Sequence, residues 1–177
     1  DTSREWSIEG KPSENKTDDD RLVKLGSINL IVGRNASGKT KTINAIRQIA
    51  DLLCGEAKLS DPIHDTGFIP DTAEYTLIFQ DGDSQIEYFV EFKEKNIIQE
   101  ILKVDKQEKL NRAEKKLFYN EIGRNLSFNP NDDSLSISRR DSEQQPFFEG
   151  LYTWGKTLNH YQFGDKLGKN VFIHDIN

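Results

Sequence analysis

Residues 33–40 constrain this chain more than any other segment, because they read Gly-Arg-Asn-Ala-Ser-Gly-Lys-Thr, the spacing of a phosphate-binding loop. The two glycines let the backbone turn its N–H groups inward, and a helix that begins after the loop points its positive end at the same place. Lys39 offers a compact charge for the β- and γ-phosphates, and Thr40 offers a hydroxyl for Mg²⁺. This pattern predicts a site for a nucleoside triphosphate with Mg²⁺.

The candidate site consists of the whole loop and the residue that follows it. Lys39 is the candidate catalytic residue, and Thr40 is the candidate metal ligand. The candidate nucleotide-binding residues are Gly33, Arg34, Asn35, Ala36, Ser37, Gly38, Lys39, Thr40 and Lys41.

The residues on either side of the loop favour a strand–loop–helix unit. Residues 28–32 form a short apolar run rich in β-branched side chains, which predicts a strand buried on both faces in a parallel sheet. After the loop, apolar residues recur at steps of three and four from Ile43 to Leu53. Gly55 then stands where a helix C-terminal glycine belongs.

Further along, the pattern changes to the alternation of antiparallel strands. Residues 75–80 and 86–92 flank an Asp-Gly turn and predict a hairpin, residues 97–104 predict a third strand, and residues 135–138 predict a short fourth one. Near the start of the chain, Trp6 with Ile8 and then residues 22–25 predict two early strands. A helix face is predicted from Phe147, Leu151, Trp154 and Leu158, and we assign this aromatic stripe to the core rather than to base stacking.

Together these patterns predict an α/β fold, with a buried strand–loop–helix unit and an antiparallel meander in one P-loop domain over residues 1–177. Its parts are strands, loop and helix in 1–56, a connection in 57–74, antiparallel strands in 75–140, and a helix with a C-terminal segment in 141–177.

Composition excludes several classes of protein. With 31% charged residues and a net charge of −6, the sequence argues for a soluble, cytoplasmic protein and against a generally basic nucleic-acid binder. No apolar stretch is long enough for a membrane span. The lone Cys54 is expected to be a structural thiol, and His64, His160 and His174 lack the spacing of metal ligands. The absence of methionine, even at position 1, suggests a processed or excised piece of a longer protein.

Residues 28–40 resemble the N-terminal lobe of the ABC/SMC-like ATPases that carry an AAA label, the group of OLD, RecF and Rad50-like proteins. Asn35 is the choice typical of ABC proteins within the loop, and residues 97–102 and 151–154 are also similar to segments of that lobe. The resemblance implies an ABC-ATPase-like first lobe that binds ATP and Mg²⁺ and is completed by a second lobe or a homodimer partner. It also implies a nuclease domain or DNA as partners of the complete protein.

By the same resemblance, the second lobe supplies an aspartate–glutamate pair after an apolar strand and a Ser-Gly signature. Neither motif is recognisable in this chain, so we expect ATP hydrolysis only when a second lobe or subunit completes the site. The nearest acidic candidates are Asp175 and Asp81, and the Asp-Gly turn explains Asp81 better. Minor candidates are Gln80 or Gln162 for Mg²⁺ and Trp6 for adenine stacking, and for each an ordinary structural role is favoured. For nucleic acid the candidates are Arg139-Arg140 and the charges between Lys103 and Lys116, and for both a solvated face is favoured.

Two classes of function remain open. In the first, the chain is the ATP-binding portion of an ATPase with a DNA-directed or defence activity. In the second, it is a nucleotide-gated protein-interaction module without significant hydrolysis. A kinase-like transfer is disfavoured by the antiparallel sheet, and the absence of an Asn-Lys-x-Asp guanine motif favours ATP over GTP.

Overall fold

A computed structural model describes residues 6–9, 22–32, 34, 38–61 and 72–159, with side chains described from Leu25 onward. Its largest element is an eight-stranded antiparallel sheet with the order β2-β1-β3-β4-β5-β6-β7-β8. The strands are β1 Trp6–Glu9, β2 Leu22–Leu25, β3 Thr72–Asp81, β4 Ser84–Lys93, β5 Asn96–Val104, β6 Gln107–Asn111, β7 Lys116–Tyr119 and β8 Arg124–Ser127.

The sheet from β3 to β8 is a meander in which each strand pairs with the next one along the chain. Strands β3 and β4 pair over their full length around a turn in which Gly82 has φ +63°. The next two turns have two residues each, and both residues have positive φ although neither is glycine. They are Glu94 with Lys95, and Asp105 with Lys106. This geometry is that of the type I′ turn, whose twist matches that of the strands it joins.

Two helices, α1 Lys39–Leu53 and α2 Glu149–Thr157, pack on one face of the sheet and against each other. Two short 3-10 helices, Ser136–Arg139 and Pro146–Phe148, complete this layer. The core forms between them from Ile49, Leu52, Leu53, Leu77, Phe79, Tyr88, Val90, Phe92, Leu102, Leu110, Ile137, Phe148, Leu151 and Trp154.

Most of the predicted elements are confirmed. The two early strands, the hairpin, the third strand, the loop-following helix and the helix at 149–157 are all present. Leu151 and Trp154 are buried in the core, and the Trp154 ring meets Phe79 edge to face at 5.6 Å between centroids. The core assignment of the aromatic stripe is therefore confirmed.

The predicted buried strand at 28–32 is wrong. These residues form no strand, and the side chains of Ile28, Leu30 and Val32 are 93%, 79% and 76% exposed. A strand buried on both faces needs a neighbour on each side and a layer above and below it. Within the described residues the sheet is antiparallel throughout, and none of its strands pairs with this run.

The predicted fourth strand at 135–138 is also wrong, because Ser136–Arg139 is a 3-10 helix. Leu135, Ser136 and Ile137 are consecutive buried residues, whereas a half-buried strand alternates buried and exposed positions. The sheet instead continues through β6, β7 and β8. These three strands were not predicted, because each is short and has a single leucine, Leu110, Leu117 or Leu126.

A buried ion pair lies under the sheet between Glu100 on β5 and Arg112, which follows β6. The Glu100 side chain is fully buried and that of Arg112 is 5% exposed, with 2.9 Å between Arg112 Nη1 and Glu100 Oε2. Arg112 is therefore not on a solvated face, as the charge pattern between Lys103 and Lys116 had suggested. Tyr88 Oη donates to Glu100 Oε1 at 2.9 Å, and Ser136 Oγ donates to Oε2 at 2.7 Å.

The two helices approach closely at Gly155. A Cβ atom built on this residue would lie 2.5 Å from the Ala50 carbonyl oxygen and 3.3 Å from the backbone nitrogen of Cys54. Because the atoms it would meet are backbone atoms of α1, no rotamer change can relieve the contact. Glycine at this position sets the distance between α1 and α2.

We expect Gly155→Ala to lower the free energy of unfolding by about 2 kcal/mol or more, the usual cost of overpacking. Gly150→Ala is the matched control, because its added Cβ would meet only Ile86 Cδ1 at an ordinary 3.8 Å. In the control the better helix propensity of alanine should raise stability by about 0.5–1 kcal/mol. Urea denaturation followed by circular dichroism measures both changes, and equal effects would contradict the close-packing argument.

Candidate functional site

The N-terminus of α1 carries the part of the phosphate-binding loop that the structure describes. Gly38 precedes the helix with φ +89° and ψ 0°, a left-handed conformation that suits glycine. Lys39 is the first helical residue, and the first turn contains no acidic side chain. The first N–H groups of a helix lack partners within the helix, so this end presents donors and positive potential.

Lys39 folds back toward the loop that precedes it. Its Nζ donates a hydrogen bond to the Arg34 carbonyl oxygen at 2.7 Å. This contact holds the ammonium group against the backbone of the loop at Arg34. A phosphate bound there would meet a charged donor and the helix end together.

Thr40 and Lys41 are exposed on the first turn of α1. Thr42, one residue later, donates through its backbone N–H and its hydroxyl to the Gly38 carbonyl oxygen, at 3.0 and 3.3 Å. The Thr40 hydroxyl fits the chemistry of Mg²⁺, which takes oxygen ligands and is commonly held by one or two protein groups together with phosphate oxygens. Across the described residues, no group of three His, Cys, Asp or Glu side chains could hold a metal ion by itself.

Several predicted site residues lie outside the part of the chain that the structure describes. In the loop these are Gly33, Asn35, Ala36 and Ser37. The side chain of Trp6, together with His64, His160, Gln162, His174 and Asp175, also lies outside it. For these residues the predicted roles stay predictions.

The remaining candidates have structural surroundings. Gln80 Nε2 donates to the Gly82 carbonyl oxygen at 2.8 Å. Asp81 is the last residue of β3, directly before the hairpin turn. Cys54 is buried, and burial raises the pKa of its thiol above the ordinary value. Arg140 pairs with Glu149 and lies over the ring of Tyr152 at 3.9 Å, so it stabilises the start of α2.

The surface next to the loop is apolar and uncovered. The run 28–32 begins in a turn in which Asn29 and Gly26 exchange two hydrogen bonds of 2.8 Å, and the side chains of Ile28, Leu30 and Val32 face solvent. The first half of α1 is also incompletely buried, since Ile43 and Ile46 are both half-buried and full burial begins at Ile49. The sequence could not show this exposure, because an apolar run carries no information about whether a neighbour is present.

The polar network around Glu100 was not predicted from the sequence. A signal was present, since Glu100 stands two residues before Leu102 in the predicted strand 97–104, and residues two apart in a strand share one face. A carboxylate at such a position must be paired when it is buried. Its partners Arg112 and Ser136 come from distant parts of the chain, and only the fold brings them together.

A comparison with protein-family models matches residues 28–149, about two thirds of the chain, to the family described as "AAA domain, putative AbiEii toxin, Type IV TA system". The chain belongs to this family. The match begins at the exposed apolar run and covers the loop, α1 and the meander. Comparisons with curated proteins and with solved structures gave no significant match.

Family membership makes this chain a nucleotide-binding, ATPase-like AAA domain of the P-loop class. The resemblance to AAA-labelled ATPases is confirmed at that level, while the narrower OLD, RecF and Rad50-like group stays a prediction. Neither helix in the described part of the chain has the length and apolar character needed to cross a bilayer.

We expect Lys39→Ala to weaken binding of a non-hydrolysable ATP analogue by about 10- to 100-fold, because a hydrogen bond to a charged group contributes about 1.5–3 kcal/mol. Isothermal titration calorimetry measures the change. Arg47→Ala is the matched control, since Arg47 is an exposed basic residue two turns further along α1 that pairs with Asp51. If Lys39→Ala binds as tightly as the parent chain, the assignment of the loop is wrong.

Thr40→Ala should weaken nucleotide binding in the presence of Mg²⁺ more than in its absence. The hydroxyl is the only group of the candidate site assigned to the metal, and Mg²⁺ otherwise contacts the phosphates and water. Titrations with excess Mg²⁺ and with EDTA measure the difference. Thr40→Ser, which keeps the hydroxyl, serves as the control, and equal losses in both conditions would contradict the metal assignment.

Proposed function

We propose that this chain is the ATP-binding portion of an ABC/SMC-like ATPase, and that it binds Mg-ATP through residues 33–40. The observation that carries the proposal is the start of α1, where Gly38 opens the helix and Lys39 reaches back to the loop. The helix end and the ammonium group both favour a polyanion at one place. Lys39 would bind the β- and γ-phosphates, and Thr40 would hold Mg²⁺.

Hydrolysis in this proposal requires a second lobe or a second subunit. Phosphoryl transfer depends on several positioned groups at once, including one that orients the attacking water. Lys39 and Thr40 are consecutive residues in the first turn of α1, and this turn contains no acidic side chain that could activate water. The missing groups would come with the completing lobe.

The uncovered apolar surface beside the loop supports such a completion. Exposed Ile28, Leu30 and Val32 present three large side chains to solvent directly before the loop, and surface of this kind marks interaction sites when it is contiguous. The partner would be a second ATPase lobe or a homodimer partner.

We further propose that the activity is DNA-directed or serves in defence, with a nuclease domain or DNA as the partner of the complete protein. The description of the family as a toxin of a type IV TA system supports the defence role. The net charge of −6 supports placing any nucleic-acid surface outside this chain.

The alternative function is a nucleotide-gated interaction module without significant hydrolysis. The same exposed run favours it, because nucleotide binding at residues 33–40 would order the segment just before them and change the surface that a partner meets. The two functions differ in whether ATP is hydrolysed once the partner has completed the site.

Calorimetric titration with a non-hydrolysable ATP analogue and Mg²⁺, together with a phosphate-release assay and light scattering on the same sample, tests the proposal. We expect Lys39-dependent binding with negligible phosphate release while the chain is monomeric. Release that rises with the square of protein concentration would support completion by a homodimer partner. Absence of binding would overturn the proposal. Efficient ATP hydrolysis by the monomer would overturn the requirement for a second lobe or subunit.

Leu30→Ser should reduce the binding of a hydrophobic dye and the self-association of the isolated chain. Leu30 is 79% exposed, so removing its apolar side chain costs the fold little and makes the surface beside the loop more polar. Ile122→Ser in the turn between β7 and β8 is the control, since Ile122 is an exposed apolar residue of a different region. An equal effect of both substitutions would remove the special role of the run 28–32.

A further inference from the structure

The direction of α1 depends on contacts along its second half. Residues 39–48 are exposed or half-buried, whereas Ile49, Ala50, Leu52 and Leu53 are buried. The first turn, which carries the candidate phosphate donors, is therefore less buried than the second half of the helix. Whatever holds the second half also sets the position of those donors.

One holding contact comes from residues 131–139, which we call the bridging segment. The Leu59 N–H donates to the Asp133 carbonyl oxygen at 2.9 Å, and Ser60 Oγ donates to Asp133 Oδ2 at 2.8 Å. Ser138 lies against Gly55, where an added Cβ would be 3.1 Å from the Ser138 Cβ. The bridging segment thus contacts the end of α1 and the turn that follows it.

The opposite side of the bridging segment is bonded to the sheet through the Glu100 network. The Ser136 N–H donates to Glu100 Oε1 at 2.9 Å, and Ser136 Oγ donates to Oε2 at 2.7 Å. Arg112 donates from Nη1 to the Ser134 carbonyl oxygen at 3.4 Å and from Nη2 to the Asn131 carbonyl oxygen. One segment therefore joins a buried charged network to the end of the nucleotide-binding helix.

We propose that the bridging segment positions α1, so that the Glu100 network sets nucleotide affinity without touching the nucleotide. This inference rests on the proposed nucleotide-binding function. Ser136 and Ser60 are its positioning residues. Because coupling between two sites is reciprocal, bound nucleotide must in turn stabilise the bridging segment.

Because α1 is long, a small tilt of the helix moves its first turn by a large distance. A helix of 15 residues is about 22 Å long, so a tilt of about 5° at its held end moves its first turn by about 2 Å. A hydrogen bond to phosphate is lost over a shorter distance than this. A modest loosening of the bridging segment would therefore reduce affinity without unfolding the chain.

The test compares two serine–aspartate hydrogen bonds of the same kind. Ser60→Ala removes the exposed 2.8 Å bond to Asp133, and the control Ser84→Ala removes the exposed 2.9 Å bond to Asp105 in a hairpin turn. Ser136→Ala removes one donor to Glu100 and keeps the backbone donor. The Kd of the ATP analogue is measured for each variant, with circular dichroism to follow the fold.

We expect Ser136→Ala to raise the Kd by about fivefold or more, the lower end of typical coupling between two sites. Ser60→Ala should act in the same direction but less strongly, and Ser84→Ala should leave the Kd unchanged even if it lowers the melting temperature equally. Unchanged Kd values in both Ser60→Ala and Ser136→Ala, or an equal rise in Ser84→Ala, would overturn the positioning role.

Hydrogen exchange with and without the ATP analogue tests the reciprocal effect. Nucleotide should slow exchange in peptides covering residues 131–139 of the parent chain and not of Lys39→Ala, while peptides of β7 and β8 stay unchanged. Slowing confined to α1 and the loop would overturn the coupling and leave the proposed function standing. Absence of Lys39-dependent binding in the parent chain would overturn both.

Discussion

The Glu100 carboxylate is the group on which the arrangement of this domain depends. An ionised carboxylate in the core is costly unless it is paired and fully hydrogen-bonded, and here Arg112, Tyr88 and Ser136 all donate to it. Burial raises the pKa of Tyr88 well above its ordinary value, and the nearby carboxylate adds to the shift, so the phenol stays a neutral donor. Removing one member of such a pair typically costs about 3–5 kcal/mol. The network therefore fixes one arrangement of β4, β5 and the bridging segment rather than several.

The electrostatics of the candidate site come from the backbone as much as from side chains. The first turn of α1 contains lysine and threonine and no acid, so the positive end of the helix is not neutralised locally. The close contact at Gly155 and the bridging segment hold the other end of the same helix. The candidate binding residues at one end of α1 and the packing contacts at the other thus belong to the same helix.

Patterns within single segments predicted much of this fold. The spacing of Ile43 to Leu53 predicted α1, and the alternation around Gly82 predicted the longest hairpin, since both depend on neighbours close in sequence. The errors arose where distant residues decide the outcome. Residues 28–32 have the composition of a buried strand but find no partner in the described sheet. In place of the predicted strand at 135–138, Ser136–Arg139 is a 3-10 helix, and its Ser136 binds the distant Glu100. For the site, the loop motif predicted the nucleotide-binding class that the family match supports, but it held no information on how α1 is positioned.

The short turns of the meander have a consequence for the order of folding. From β3 to β8 each strand pairs with the next one along the chain, and the two-residue turns at 94–95 and 105–106 close these contacts over short lengths of chain. Local contacts of this kind form fast, because little chain entropy is lost in closing each loop. The Ser60–Asp133 bond, in contrast, joins residues 73 positions apart. During synthesis from the N-terminus, strands β3 to β8 can therefore assemble first, and α1 reaches its final position only when residues 131–139 have been made.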